Sequence, residues 1–167
     1  MSEPTEGDCL THLDEHGRAR MVRVADKPET HRGAIARARV RMGAVAWRQV
    51  RDASGHKGDA LQVARIAGIQ ASKQTASLIP LCHPVRVVSV EIDASLDETN
   101  CSVTLEARVE AVDRTGVEME AMTAAAVGAL TVYDMIKSID RGAVIEQVVL
   151  VAKWGGKSGR YDLNGER

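Results

Sequence analysis

At 167 residues the chain can bury one full hydrophobic core but is too short for two large domains. Its 22 Lys and Arg against 23 Asp and Glu leave a net charge of −1, which excludes a general basic field for nucleic acid or an anionic membrane. With no Phe, two Trp and two Tyr, the core must rest on Val, Ile, Leu, Met and Ala, and base-stacking functions are disfavoured.

Cys9, Cys82 and Cys101 are odd in number and lack CxxC spacing, which fits a reducing compartment and predicts a cytoplasmic protein. The first residues carry no apolar leader core and no stretch reaches membrane-spanning length, so a soluble, unexported chain is expected. Residues 1–18 and 158–167 are polar and glycine-containing. They are expected to be tails flanking a single domain over 19–157.

In chain order, Met21–Val24 suggests a short strand, and Ala36, Ala38, Val40 and Met42 alternate with Arg37, Arg39 and Arg41 as a strand with one apolar face. A short helix over Ala44–Val50 follows, then the polar turn 51–59. Asp59 is placed to cap a helix running to about Ser77, because its carboxylate can accept from unpaired first-turn amides. Val88–Leu96 and Cys101–Ala111 alternate apolar and polar residues around the turn Asp97–Asn100, predicting a long antiparallel hairpin. The run Gly116–Gly142 is helix-like and apolar around most of its circumference. Residues 144–152 form a last strand, apolar on both faces and so expected inside a sheet or against a partner. From Ala36 the order is βαββαβ, which predicts an α+β ferredoxin-like sandwich with an antiparallel sheet and helices on one face.

Several residues could carry chemistry. Pro80 and Pro84 stiffen the loop 78–84 and hold His83 in extended backbone, although the prolines could simply end the helix. Cys82 and His83 are neighbours whose side chains point apart in an extended segment, which argues against a shared site. Lys57 precedes a helix N-terminus, where charge and dipole both favour an anion. The segment 153–159 resembles a P-loop superficially, but the first glycine of that motif would fall at Val151; what remains is a glycine-rich strand end bearing Lys153 and Lys157.

Asp134 and Lys137 are neighbours on one helix face, and the apolar residues around them predict a desolvated pair suited to proton transfer. Glu118 and Glu120 stand in the first turn of the same helix, where acidic residues are favourable without any function. No metal-ligand spacing appears, so no metal is expected apart from magnesium carried by a phosphate-bearing substrate.

Six segments in order resemble the molybdenum cofactor biosynthesis protein C family, the cyclic pyranopterin monophosphate synthases. They are HKGD at 56–59, ARIAGIQASK at 64–73, LIPLCHP at 78–84, TGVEMEAMTAA at 115–125, LTVYDMIKS at 130–138 and GGKSG at 155–159. Trp154 departs from the small residue more usual before those glycines. The resemblance implies a lyase that converts cyclic 3′,8-linked dihydro-GTP into cyclic pyranopterin monophosphate, releasing pyrophosphate, with no redox cofactor. It also implies a catalytic set of Asp134, Lys137, Lys57 and Lys153, and a substrate lining of Leu81, Cys82, His83, Glu118, Met119 and Glu120. A homohexamer built from dimers, with active sites at subunit interfaces, is implied as well.

Geometry adds an independent point. On a continuous helix Glu120 and Asp134 stand about 21 Å apart at 1.5 Å per residue, too far for one compact pocket. Either the glutamates lie off the helix axis or a second subunit completes the site; the second is expected, also because the small residues Ala121, Ala124, Ala125 and Gly128 permit close approach of another helix. A non-catalytic nucleotide-sensing module and an unrelated acid–base hydrolase are the alternatives.

Overall fold

In the computed structural model, residues 16–157, 159–163 and 165 are described. Cys9, most of the N-terminal tail and parts of the C-terminal one lie outside them. Five strands form one antiparallel sheet: β1 (Thr30–Arg41), β2 (Val87–Asp97), β3 (Ser102–Asp113), β4 (Val144–Trp154) and β5 (Tyr161–Asp162), in the spatial order β2-β3-β1-β4-β5. The helices are α1 (Ala44–Arg51), α2 (Ala60–Ser72), α3 (Thr75–Leu78) and α4 (Glu118–Ile136). This is the α+β ferredoxin-like arrangement expected from the sequence, with β5 adding a short outer strand within the C-terminal stretch.

Period-two alternation sets the layers. Ala34, Ala36, Ala38 and Val40 of β1 and Val103, Leu105, Ala107, Val109 and Ala111 of β3 are fully buried, and the core continues into Ala121, Ala124, Ala125, Ala129 and Val132 of α4. Because so many of these side chains are alanine, helix and sheet pack at short range. The other sheet face is charged: Arg37 pairs with Glu106, and Arg39 and Arg41 both pair with Glu146. An open recess of about 490 Å³ lies there, bordered by Arg37, Arg39, Asp93 and Glu106.

Two expected elements differ. Met21–Val24 is not a strand; β1 is already paired on both sides, by β3 and β4, so this segment has no adjacent edge to join. The helix begun by Asp59, whose Oδ1 accepts from Leu61 and Gln62 amides, stops at Ser72 instead of running to Ser77. There the Ser72 hydroxyl donates to Ile69 O, and Thr75 Oγ1 donates to Ala71 O and Ser72 O. These local bonds compete with the helical ladder, and α3 restarts as a separate turn. The last strand behaves as a partly covered surface: only Ala152 of β4 is buried, and Val144 is 43% exposed.

The small residues Ala121, Ala124, Ala125 and Gly128 of α4 are buried within the subunit and so are not the surface for another copy's helix; the two long helices meet through glycine and alanine. Gly68 of α2 faces Ala124 of α4, and Ala64 O approaches Gly128, so the helices run antiparallel with backbones almost in contact. A Cβ on Gly68 would lie 2.8 Å from Ala124 O and would overlap Ile92 Cδ1. Gly68→Ala is expected to destabilise the fold by about 1–3 kcal/mol through overpacking. Urea denaturation checks this, and an unchanged midpoint would show that the helices can separate freely.

Candidate functional site

The structure gathers the predicted residues into two groups at opposite ends of α4. At the N-terminal end, Leu81, Cys82, His83, Val85, Thr115, Gly116, Glu118, Met119 and Glu120 line one cavity of about 240 Å³. The whole expected substrate lining is therefore together. Lys153 joins it, with Nζ 3.3 Å from Glu118 Oε1.

Lys153 reaches this place through an irregularity in the β1–β4 ladder. Ala36 pairs with Leu150, Ile35 with Ala152 and Ala34 with Lys153, so β4 carries an extra residue at Val151. A bulge shifts the following side chains to the opposite face. Without it Lys153 would lie on the bare side of the sheet. With it, Trp154 takes that side, lying across Gly33, where a Cβ would overlap the indole, and against the Arg108 guanidinium 4.9 Å from the ring centre.

Glu120 is 3% exposed, and no cation pairs with it among the described residues. Burial pushes its carboxyl up to about 7 within the single chain, against the hydrogen bond from its own amide, while Glu118 and Asp113 add repulsion. Burial also raises the Cys82 thiol, with Glu120 contributing, so this cysteine stays protonated and is not a nucleophilic thiolate.

The second group lies at the C-terminal end of α4. Asp134 Oδ1 accepts from Lys137 Nζ at 2.6 Å and Asp134 Oδ2 from Lys57 Nζ at 2.7 Å, while Lys57 also donates to Asp134 O at 3.0 Å. Lys57 comes from the turn before α2. It spans to α4 and does not fold back on the amides of its own helix.

The Asp134–Lys137 pair is not desolvated as its apolar neighbours suggested: the side chains are 52% and 53% exposed. Ile136 turns into the core and Tyr133 and Met135 are half-buried, whereas Leu130, one turn back from Asp134, is exposed on the same outer face as Asp134 and Lys137. The hydrogen bond from Lys137, then that from Lys57, pulls the Asp134 carboxyl down to about 2, and Lys137 is raised in turn by Asp134. Asp134 is therefore ionised throughout neutral pH, and Glu120 is the carboxyl held near neutrality.

Both Glu118 and Glu120 belong to α4 itself, which removes the possibility that they leave the helix axis. The 14 residues from Glu120 to Asp134 give about 21 Å of helix. Between the groups α4 shows a mainly apolar outer stripe: Met119 is 36% exposed and Leu130 is 56% exposed, with Thr123, Ala126 and Val127 half-buried. On adjoining α2, Ile66 is 68% exposed. Among the described residues no cluster of His, Cys, Asp and Glu has the arrangement of a metal site, and no helix is long and apolar enough to cross a membrane.

The MoaC family model matches residues 21–156. The chain is 57% identical over 152 residues to a cyclic pyranopterin monophosphate synthase of Thermomicrobium roseum, covering 91% of this chain and 92% of the relative. It is 53% identical to the protein of that name in Heliobacterium modesticaldum, over 92% of this chain and 97% of the relative. Against that of Parvibaculum lavamentivorans it is 51% identical, over 91% and 95%.

The low proton affinity of Asp134 has a direct check. Its folded-state value lies below that of an unfolded aspartate, so the ion pairs stabilise the fold above about pH 4, and that contribution is lost as pH falls through about 2. In Lys137→Met one of the two ammonium donors is gone, and the Asp134 titration followed by carboxyl-carbon NMR is expected to move upward towards the ordinary range. An unmoved midpoint would show that Lys137 does not set it.

Proposed function

Because the chain belongs to the MoaC family, we propose that it is a cyclic pyranopterin monophosphate synthase. Its substrate in this reading is cyclic 3′,8-linked dihydro-GTP, rearranged to the pterin with loss of pyrophosphate in molybdenum cofactor biosynthesis. The observation that carries the site assignment is the single cavity in which His83, Glu118, Met119 and Glu120 converge beside Lys153.

The chemistry suits these groups. Closing the cyclic phosphate forms a bond from a sugar oxygen to the α-phosphorus and breaks the bond to the bridging oxygen, whose electron pair leaves with pyrophosphate. Lys57, Lys137 and Lys153 supply the positive charge that this triphosphate and its transition state need. Asp134, ionised and bonded to Lys57 and Lys137, fixes the direction of these two ammonium groups. Glu120 and His83 face the ring system, where opening and closing require proton transfers. Rearrangement and pyrophosphate loss involve no net redox change, so the reading needs no resident cofactor, and magnesium enters only with the substrate phosphates. The reduced thiols and this substrate fit the cytoplasm.

A second copy of the chain completes the site in this proposal, as part of a homohexamer of dimers. Val127 stands midway between Glu120 and Asp134. A two-fold axis passing there pairs α4 with its copy antiparallel and brings Glu120 of each subunit towards the Asp134 end of the other. Three features support this axis: the 21 Å separation, the exposed apolar surface around Leu130 and Ile66 at that level, and the charge pattern. One end holds a buried carboxylate without a cation, and the other holds two lysines on a single carboxylate.

Incubation with the cyclic dihydro-GTP should yield pyrophosphate and the pterin product by mass spectrometry. Binding without turnover would favour a nucleotide-sensing module. His83→Ala and Lys137→Ala should each be inactive alone. Unfolded and refolded together in equal amounts, they should recover about a quarter of wild-type activity, because half the dimers are mixed and each mixed dimer holds one intact site. No recovery from two well-folded variants would place both groups of residues in separate roles within one subunit.

A further inference from the structure

We infer that Arg32 is a positioning residue for the substrate cavity, one guanidinium joining the segments that wall it. The role of the cavity rests on the proposed function above; the clamp itself rests on contacts. Arg32 lies on β1 two residues before Ala34, on the same helix-facing side as Lys153. Its Nε donates to Asp113 O at 2.9 Å and its Nη2 to Arg114 O at 3.1 Å, at the end of β3 where the chain turns towards α4.

Two further segments meet this point. The Asp113 carboxylate accepts from the Arg86 amide at 2.9 Å and from the Arg114 amide at 2.7 Å, tying in the loop that carries Leu81, Cys82 and His83. On the other side, the turn after Lys153 rests on β1. Gly155 and Gly156 have φ of +88° and +73°, which favours glycine, and neither position has room for a side chain. A Cβ at Gly155 would overlap His31 O, and one at Gly156 would overlap Arg32 Nη1. Arg32 is thus bonded to the 113–116 connection, linked through Asp113 to the His83 loop and packed beneath the Lys153 turn.

The consequence for α4 is specific. Its N-cap, Val117, makes no side-chain capping bond, so the first turn has no local anchor of that kind. The Asp113–Gly116 connection leads directly into that turn, and Arg32 holds two of its carbonyls. Glu118 and Glu120 inherit their position from this clamp. Lysine cannot replace it, since two carbonyl bonds in fixed directions need a planar fork.

The test combines turnover with hydrogen exchange in full-length protein. Arg32→Ala and Arg32→Lys are expected to lower kcat/KM on the order of 10²-fold, the scale set by misplacing reacting groups by about 1 Å. Amide exchange should accelerate in residues 81–86, 113–118 and 153–157 and stay unchanged in β2 and the body of α2. Added guanidinium ion should restore part of the activity of Arg32→Ala and none to wild type. Gly156→Ala, which drives a methyl group into the guanidinium, should accelerate exchange in the same three segments.

Wild-type turnover in Arg32→Lys and Gly156→Ala would overturn the inference, as would exchange unchanged in the three segments. If Arg32→Ala does not fold, Arg32→Lys and Gly156→Ala decide. Should wild type itself make no product, the proposed function fails while the exchange pattern still decides the clamp.

Discussion

Close packing through alanine and glycine is the constraint on which the rest of the molecule depends. Ala34, Ala36 and Ala38 present a flat surface to α4, and Gly68 lets α2 come against Ala124. Larger side chains would push the helices outward and permit tilt. With small ones, α4 is a 19-residue rod fixed to the sheet on one side and to α2 on another. Such a rod sets the distance between its ends, so the placing of Glu120 relative to Asp134 belongs to the core and not to any loop.

That rod separates two electrostatic environments. At its N-terminal end a carboxyl is buried without a counter-ion, and its proton is held near neutrality. At its C-terminal end a carboxyl is exposed and doubly bonded to lysines, and its proton is lost far below neutrality. Apolar sequence neighbours are a poor guide to which case applies. Near Asp134, Ile136 faces the core while Leu130 lies outward with the aspartate, whereas Glu120 turns inward beside Cys82 and Asp113.

Much of this was legible in the sequence. The alternation of β1, β2 and β3, the Asp59 cap and the long apolar run of α4 follow from local rules, and they suffice for the ferredoxin-like order. The co-location of Leu81, Cys82, His83 and Glu118–Glu120 came through the family resemblance, since nothing local joins a loop at 81–83 to a helix starting at 118. Arg32 is not legible in the sequence because its partners are backbone carbonyls, which leave no mark on the residues that own them. The bulge at Val151 was equally hidden: an uninterrupted apolar strand gives no sign of where an extra residue sits. The break at Ser72 had a signal in Ser72 and Thr75, two hydroxyl residues three apart near a helix end.

The placement of Trp154 equips the protein with its own optical probe. Its indole lies over Gly33 and beside the Arg108 guanidinium on the bare sheet face, next in sequence to Lys153 on the other. The other indole, Trp47, is 4% exposed and donates to Ser102 O, shielded from solvent and remote in sequence from the end of β4. Fluorescence from Trp154 therefore reports on the end of β4, and a shift in that strand is readable in the unlabelled chain.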